Sequence, residues 1–382
     1  MDDFGPKDLT RMYREEYAQA LGALGRFNLA IFGKTGTGKS TLINAIFGED
    51  VAETGTGRPV TTGLDYYLHP DGVLGIYDSR GFETGEAGDR ILEALAETVN
   101  RARGGEALEQ IHVAWYTVRW SDRRFENHQA AFVRRLHELG LPVIFVMTQV
   151  PCNAEGDIHA DAIEFAEYVA GLGLPLAAGG HVYLTNAKAD PFLGTVVFGL
   201  QELLDATFDT IPEAATAALS AAQQLDWGRK RHAAKKIIAT SAASALATGA
   251  TPIPFSDAAI LVPLQIGMIA RLTAAYGSKL PSAQMASLVG SLMLSSGATT
   301  AGRWMVSSLL RVVPGGQPAA MAISGTVAAS MTTAMGWAWV AVLEKYLVDG
   351  DLSDVDSIRD MFVTEFRQRF RWKGSGNDTK SA

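Results

Sequence analysis

Residues 33–40 read Gly-Lys-Thr-Gly-Thr-Gly-Lys-Ser, which is a complete G-x-x-x-x-G-K-S loop. The loop follows an apolar run that ends at Phe32 and precedes a helix-like stretch from Ser40 to Phe47. Its glycines let successive backbone N–H groups turn inward, and the N-terminus of the helix adds partial positive charge. The pattern therefore predicts a phosphate-binding loop, in which Lys39 reaches the outer phosphates and the Ser40 hydroxyl binds Mg²⁺. The predicted phosphate contacts come from Gly33, Lys34, Thr35, Gly36, Thr37, Gly38, Lys39, Ser40 and Thr41.

Length and composition limit the class of protein. A chain of 382 residues with 47% hydrophobic content exceeds what one compact core usually holds, so two domains are expected. A net charge of −8 gives no general attraction to nucleic acid, and no nucleic-acid partner is expected. Cys152 is the only cysteine, so no intramolecular disulfide can form. Because residues 1–3 also lack the basic-then-apolar order of a secretory signal, we expect a cytoplasmic protein.

The composition and the hydrophobic pattern of the sequence change near Pro212. Before this point short apolar runs alternate with helical patterns, which predicts a six-stranded, mostly parallel α/β sheet. The runs are Phe27 to Phe32, Gly63 to His69, Leu74 to Asp78, Ile111 to Val118, Pro142 to Thr148 and His181 to Ala187. After it the sequence is alanine-rich and apolar, which predicts an all-α domain. The predicted divisions are an amphipathic helix at 1–25, a nucleotide domain at 26–212, a basic helical linker at 213–236, an apolar helical domain at 237–350 and a C-terminal helix with a disordered tail at 351–382.

Two further segments have the composition of metal-binding and switch loops. The strand Leu74 to Asp78 ends in D-x-x-G, so Asp78 is expected to hold Mg²⁺ and the Gly81 N–H to contact a γ-phosphate. The polar, glycine-rich residues 54–63 suit a mobile loop in which Thr61, or alternatively Thr62, completes the Mg²⁺ shell. Surface threonines that merely cap turns are the simpler reading of that loop. We predict Ser40, Thr61 and Asp78 as metal ligands and Lys39, Thr61 and Gly81 as catalytic residues.

Base recognition is the least regular part of the pattern. Residues 148–151 read Thr-Gln-Val-Pro where a guanine reader has N/T-K-x-D. Thr148 fits and Gln149 can lie over the base, but Pro151 replaces the carboxylate that accepts from guanine. Loss of this charge-assisted hydrogen-bonded pair lowers the discrimination of guanine from other bases by roughly ten- to a hundredfold. Asn153, Glu155 and Asp157 are candidates to replace it, and Asn186, Ala187 and Lys188 resemble the S-A-K turn that contacts guanine O6.

Together these motifs resemble the Era/TrmE-like branch of translation-factor-class GTPases, over residues 27 to 210. The resemblance implies GTP or GDP with Mg²⁺ as ligands and hydrolysis of GTP as the activity. Ras-type enzymes have a glutamine after D-x-x-G to align water, whereas this chain has Phe82, so turnover is expected to be slow. Supplementary charge from Lys34, Arg58 or Arg80, in cis or from a second copy, is the alternative source of catalysis. Charge supplied by a second copy of the chain implies a homodimer through the GTPase face.

The C-terminal half strengthens this resemblance. The segment from Pro252 to Arg271, followed by Ala-Tyr-Gly at 275–277, closely resembles the helical domain of unknown function that a bacterial subset of these GTPases carries. A looser similarity extends through residues 313–318 and the helix after them. The chain also resembles the immunity-related GTPases, which pair a nucleotide domain with helices from both chain ends.

The apolar domain raises the question of a membrane. Residues 280–302 and 312–343 contain no Asp, Glu, Lys or Arg and are long enough to span a bilayer, but they are rich in small residues. A tightly packed soluble bundle, a membrane-associating hairpin and true spanning helices all remain open. The basic cluster, defined as Arg229, Lys230, Arg231, Lys235 and Lys236, suits anionic lipid headgroups, although solvated helix faces explain most charge runs. A peripheral position at the inner face of the cell membrane is the corresponding expectation for localisation.

These observations support three hypotheses. The first is a nucleotide-dependent switch that repositions the helical domain against a membrane or a protein partner. The second is a membrane-remodelling or membrane-inserting protein whose GTPase module governs assembly. The third is an ATPase, which the proline at position 151 encourages.

Overall fold

The computed structural model describes residues 6–48, 56–61, 64–79, 86–103, 107–248, 257–277, 325–349 and 355–370. The chain divides into two compact units. One is Leu24–Trp227, and the other combines Met1–Ala23 with Gly228–Ala382. The helices nearest the two chain ends thus belong to the same unit. The predicted domain limits remain predictions, and the loop residue Gly81 lies outside the described part of the chain.

A single mixed sheet forms the centre of the first unit. Its strands are β1 (Phe27–Phe32), β2 (Thr56–Thr61), β3 (Leu64–Leu68), β4 (Leu74–Ser79), β5 (Val113–Arg119), β6 (Val143–Thr148) and β7 (Val182–Leu184). Their order is β2-β3-β4-β1-β5-β6-β7. The five strands β4, β1, β5, β6 and β7 run parallel to one another. Strand β3 pairs antiparallel with β4, and β2 pairs antiparallel with β3. The predicted fold class is confirmed: all six expected strands are present, and β2 extends the sheet at one edge.

The helices of the first unit cover both faces of this sheet. They are α2 (Lys39–Phe47), α3 (Glu86–Arg103), α4 (Asn127–Glu138), α5 (Ala160–Ala170), α6 (Leu200–Thr210) and α7 (Glu213–Ala222). All six residues of β1 and of β6 are buried, as expected for parallel strands with helices on both sides. Helix α7 packs against β1 and β4, so the α/β unit includes the first part of the segment predicted as a basic linker.

This arrangement brings the strand ends that carry the candidate residues to one edge of the sheet. Because β1 lies between β4 and β5, the phosphate loop that follows β1 lies beside the ends of both neighbours. The next strand, β6, lies on the far side of β5. In open α/β sheets ligands bind at this carboxyl edge. The fold therefore assembles the predicted motifs from distant parts of the sequence.

The second unit is helical in its described residues. It contains α1 (Pro6–Leu24), α8 (Trp227–Thr248), α9 (Asp257–Tyr276), α10 (Gly325–Asp349) and α11 (Val355–Arg369). Helix α10 packs against both α9 and α11. The buried Trp339 donates its indole N–H to the Thr273 hydroxyl at 2.9 Å and so ties α10 to α9. Among the described helices, none combines the length and the hydropathy that crossing a bilayer requires.

Lys230 corrects the expectation of a five-charge basic cluster. Its side chain is fully buried, and its ammonium group donates a 2.8 Å hydrogen bond to the backbone carbonyl of Tyr276 at the end of α9. Its neighbour Arg231 makes a bidentate ion pair with Glu344 of α10, at 2.7 and 2.8 Å. The side chains of Lys230 and Arg231 thus connect α8 to α9 and α10, which the spacing of basic residues along α8 could not reveal. Lys235 and Lys236 are exposed as expected.

Candidate nucleotide site

The phosphate loop leaves β1 at Gly33 and enters α2 at Lys39. Gly36 and Gly38 have φ values of 80° and 84°, in the left-handed region that glycine adopts without strain. Gly38 is the N-cap of α2, and neither a capping side chain nor an acidic residue occupies the first turn. The first N–H groups of the helix are therefore available to an anion. Ser40 and Thr41 are exposed on this turn, as their predicted roles require.

Lys39 folds back over its own loop. Its Nζ donates to the Gly33 carbonyl at 3.0 Å and lies 3.5 Å from the Lys34 carbonyl. Only 9% of the residue is exposed. Burial lowers the pKa of Lys39, and the charge of Asp78 opposes this shift. The loop carbonyls thus hold the ammonium group at the position from which it can reach a phosphate, with Asp78 at the end of β4 close enough to act on it.

Threonines from two other strands hold the loop in place. Thr148, the last residue of β6, donates its hydroxyl to the Thr37 carbonyl at 2.6 Å and is also 3.3 Å from the Val118 carbonyl. The Thr37 hydroxyl donates to the Lys34 carbonyl at 2.9 Å and lies 2.9 Å from the Thr117 hydroxyl of β5. All three threonines are buried. Sequence reasoning selected Thr148 and Thr37 but missed Thr117, whose only signal was a hydroxyl near the end of an apolar strand.

Gln149 reaches the same loop from the turn after β6. Its side-chain Nε2 donates to the Gly36 carbonyl at 2.8 Å. Its backbone φ of 57° is left-handed, which is uncommon for a residue with a side chain. The next residue, Val150, donates its N–H to the Thr185 carbonyl at 3.0 Å. The turn after β6 is therefore connected both to the phosphate loop and to the loop after β7.

The loop after β7 carries the residues predicted to contact the base. Asn186 is buried; its backbone pairs with Phe198, and its amide donates to the Val196 carbonyl at 2.8 Å. Ala187 is half-buried and Lys188 is exposed. This second pairing explains why β7 is shorter than predicted and ends at Leu184. The base contacts of these residues stay predictions.

Two of the three candidate replacements for the missing carboxylate, Asn153 and Asp157, bond to each other. Asn153 and Asp157 pair with each other through their side chains at 3.1 Å, and Asn153 Oδ1 accepts the Asp157 N–H at 2.8 Å. They close a tight turn, with Glu155 exposed between them. These bonds give both side chains a partner within the turn, and a role of Asn153, Glu155 or Asp157 in base recognition stays a prediction.

The three predicted Mg²⁺ ligands, Ser40, Thr61 and Asp78, lie on α2, β2 and β4. Asp78 pairs in register with Ile31 of β1 and with Asp65 of β3, which places it one strand from the loop. Thr61 is the last residue of β2 and pairs with Leu64. Ser40 and Asp78 are suitable oxygen donors for Mg²⁺ at this edge. The assignment of Ser40, Thr61 and Asp78 as ligands stays a prediction.

Two family models match this chain. Residues 28–149 match the model described as 50S ribosome-binding GTPase, and residues 213–359 match the domain of unknown function DUF697. The chain carries a GTP-binding GTPase domain. The first match spans β1 to the turn after β6, and so includes the phosphate loop, Asp78 and Thr148. The second spans helices of the other unit together with α7.

A curated relative and several solved structures are similar to parts of this chain. The small ribosomal subunit biogenesis GTPase RsgA of Methanosarcina acetivorans is 35% identical over 107 residues, which cover 24% of this chain and 29% of that protein. A crystal structure of a probable GTP-binding protein, engB, has a TM-score of 0.33 at 19% identity, covering 48% of this chain and 97% of the other. Aquifex aeolicus Era bound to GDP and aluminium fluoride has a TM-score of 0.32 at 16% identity, covering 57% and 67%. Both TM-scores are below 0.5, so neither structure is used to assign the fold. The fold is assigned from the strand order of the sheet.

Proposed function

We propose that this GTPase binds GTP and GDP with Mg²⁺ and acts as a slow nucleotide-dependent switch for its attached helical unit. The observation that carries the proposal is the phosphate loop itself, in which Lys39 lies 3.0 Å from the Gly33 carbonyl beside the uncapped N-terminus of α2. A triphosphate supplies stronger acceptors than these carbonyls, so Lys39 exchanges its loop contacts for phosphate oxygens when the nucleotide binds.

Mg²⁺ completes the proposed site by neutralising phosphate charge. Ser40 provides a hydroxyl at the start of α2, Asp78 provides a carboxylate at the end of β4, and Thr61 supplies a third oxygen in the triphosphate state. Gly81 then donates its N–H to the γ-phosphate. The segments that carry Thr61 and Gly81 would thus respond to the presence of this phosphate.

Slow hydrolysis follows from the residues near the predicted γ-phosphate. Phe82 has no group that can align water, so positioning and charge supply what catalysis there is. The motifs resemble those of Era/TrmE-like GTPases, and the same motifs would here make the protein a switch. The output is the helical unit, which meets a protein partner or the anionic inner face of the cell membrane.

Titration with fluorescent mant-GTP, mant-GDP and mant-ATP, with and without Mg²⁺, tests the proposal directly. Tighter binding of both guanine nucleotides than of mant-ATP, strengthened by Mg²⁺ for the triphosphate, is the expected result. Equal and negligible binding of all three would end it. ATP turnover equal to GTP turnover would favour the ATPase hypothesis instead.

The switch output has its own test. Flotation of the full-length protein with anionic liposomes, loaded with GDP or with a non-hydrolysable GTP analogue, should depend on the nucleotide if a membrane is the partner. Flotation that is equal in both states and in nucleotide-free protein would support the membrane-remodelling hypothesis.

A further inference from the structure

Thr117 lies beneath the phosphate loop and belongs to none of the motifs that define the site. It is the fifth residue of β5, and only 1% of it is exposed. Its hydroxyl lies 2.8 Å from the carbonyl of Phe32, the last residue of β1 and the one before Gly33. Thr117 therefore contacts the backbone where the loop begins.

The same hydroxyl also reaches the middle of the loop. It lies 2.9 Å from the hydroxyl of Thr37, which in turn lies 2.9 Å from the Lys34 carbonyl. The three contacts form a row from the Phe32 carbonyl to the Lys34 carbonyl, and because the two hydroxyls carry only two protons, two of the contacts are hydrogen bonds at any one time. Removing the Thr117 hydroxyl breaks two of these contacts at once.

Gly33 packs directly onto Thr117. A Cβ atom at Gly33 would lie 2.2 Å from Thr117 Oγ1 and 2.5 Å from its carbonyl oxygen, closer than any real contact. The first turn of the loop can approach β5 this closely only because residue 33 has no side chain. The start and the middle of the loop are therefore both fixed against one buried side chain.

We propose that Thr117 is a positioning residue that holds the phosphate loop in its ligand-binding shape. It acts through Thr37 and the backbone at Phe32 and does not itself touch the nucleotide. This inference rests on the proposed nucleotide binding. Strand β5 thus contributes the support beneath the phosphate loop, in addition to the predicted contacts from the loop itself and from the turns after β4, β6 and β7.

The test compares Thr117→Val with Thr117→Ser, which retains the hydroxyl. Thr117→Val should weaken binding of mant-GDP by about tenfold, because the Phe32 carbonyl loses the Thr117 donor and the Thr37 hydroxyl loses one of its two contacts. Thr117→Ser should bind close to the wild-type affinity. Thr98→Val is the matched control, since Thr98 is an equally buried threonine whose hydroxyl donates to the Ala94 carbonyl of its own helix, α3, at 2.9 Å.

A merely structural role for Thr117 predicts a different pattern. Thr117→Val would then lower the melting temperature of the nucleotide-free protein, as Thr98→Val does, without changing the affinity. That result would overturn the proposal. If Thr117→Val does not fold, Thr37→Val breaks the same hydroxyl contact from the loop side, and an unchanged affinity in that variant would also overturn it.

A second measurement separates this inference from the proposed function. Hydrogen exchange of a peptide containing residues 33–38 in nucleotide-free protein should be faster in Thr117→Val than in Thr98→Val. This outcome does not depend on ligand binding. A wild-type protein that binds no nucleotide would remove the proposed function, whereas equal exchange in the two variants would remove the role of Thr117 alone.

Discussion

The side-chain amide of Gln149 donates a 2.8 Å hydrogen bond to the backbone carbonyl of Gly36, across 113 residues of sequence. The same amide would lie 3.3 Å from a Cβ atom at Gly38. A neutral side chain thus rests on the phosphate loop where guanine readers carry lysine. The backbone of Gln149 is left-handed, which is uncommon for a residue with a side chain, and this conformation accompanies the contact with the loop.

Base discrimination should be weaker in this GTPase than in those with the full motif, and restoring the carboxylate should increase it. Pro151→Asp should raise the preference for GTP over ATP by roughly ten- to a hundredfold, because the carboxylate accepts from two guanine nitrogens. Competition of each nucleotide against mant-GDP measures this ratio. Pro151→Asn is the control without charge, and an unchanged ratio in Pro151→Asp would show that the base lies elsewhere.

Two loop glycines should respond differently to alanine. Gly33→Ala should abolish nucleotide binding, since its Cβ atom would overlap Thr117. Gly36→Ala meets nothing within 4 Å and has only its φ of 80° to overcome, which costs roughly 1–2 kcal/mol. Calorimetric titration with GDP should therefore show no binding for the first variant and moderately weakened binding for the second. Equal losses would mean that backbone conformation, and not the contact with β5, controls the loop.

The helical unit should become more stable as pH rises from 7 toward 9. Burial lowers the pKa of Lys230 from 10.5 to about 7, so the unfolded chain binds more protons in this range than the folded one. Stability is therefore greatest above the unfolded pKa and is lost as pH falls to the folded value, by about 1.4 kcal/mol per pH unit. The neighbouring groups are the Tyr276 phenol, whose pKa is raised by burial, and the Arg231–Glu344 ion pair.

Hydrogen exchange of peptides from α8 and α9 in urea measures this dependence for the helical unit alone. Lys230→Met should remove the slope, because methionine fills a similar volume without a titratable group. Lys236→Met, an exposed site on the same helix, should leave the slope unchanged. A slope that persists in Lys230→Met would assign the effect to another group.

Trp115 and Thr207 offer a stability test within the GTPase unit. The buried indole N–H of Trp115 in β5 donates to the Thr207 hydroxyl of α6 at 3.1 Å, and Thr207 is itself fully buried. Thr207→Val should lower the free energy of unfolding by about 1–3 kcal/mol, because it leaves a buried donor without an acceptor. Urea denaturation should show this loss, and Thr210→Val, which removes a half-buried hydroxyl from the same helix, should cost less.

The phosphate loop and the strands could be predicted from sequence because each is encoded locally. Eight consecutive residues specify the loop, and apolar runs bounded by polar turns specify six strands. β2 was not predicted, since residues 56–61 read as a polar, glycine-rich loop. Its strand conformation depends on pairing with β3, which the composition of the segment does not show.

Contacts between distant residues could not be predicted in this way. Lys230 reads as one charge of a solvated run, and only the end of α9 explains its burial. Thr117 reads as an ordinary strand residue, because its partner Thr37 is 80 residues away. In both cases the sequence gives the residue type, whereas the tertiary fold decides which partner it meets.

Isothermal titration calorimetry of the wild type and of Lys39→Ala with GTP and Mg²⁺ tests the central claim most directly. Lys39→Ala should weaken binding by roughly ten- to a hundredfold, since a charge-assisted contact to phosphate is lost. Lys235→Ala, an exposed lysine of the helical unit, should bind as the wild type does. An affinity unchanged by Lys39→Ala would contradict the account, because the loop between β1 and α2 would then not be where the phosphates bind.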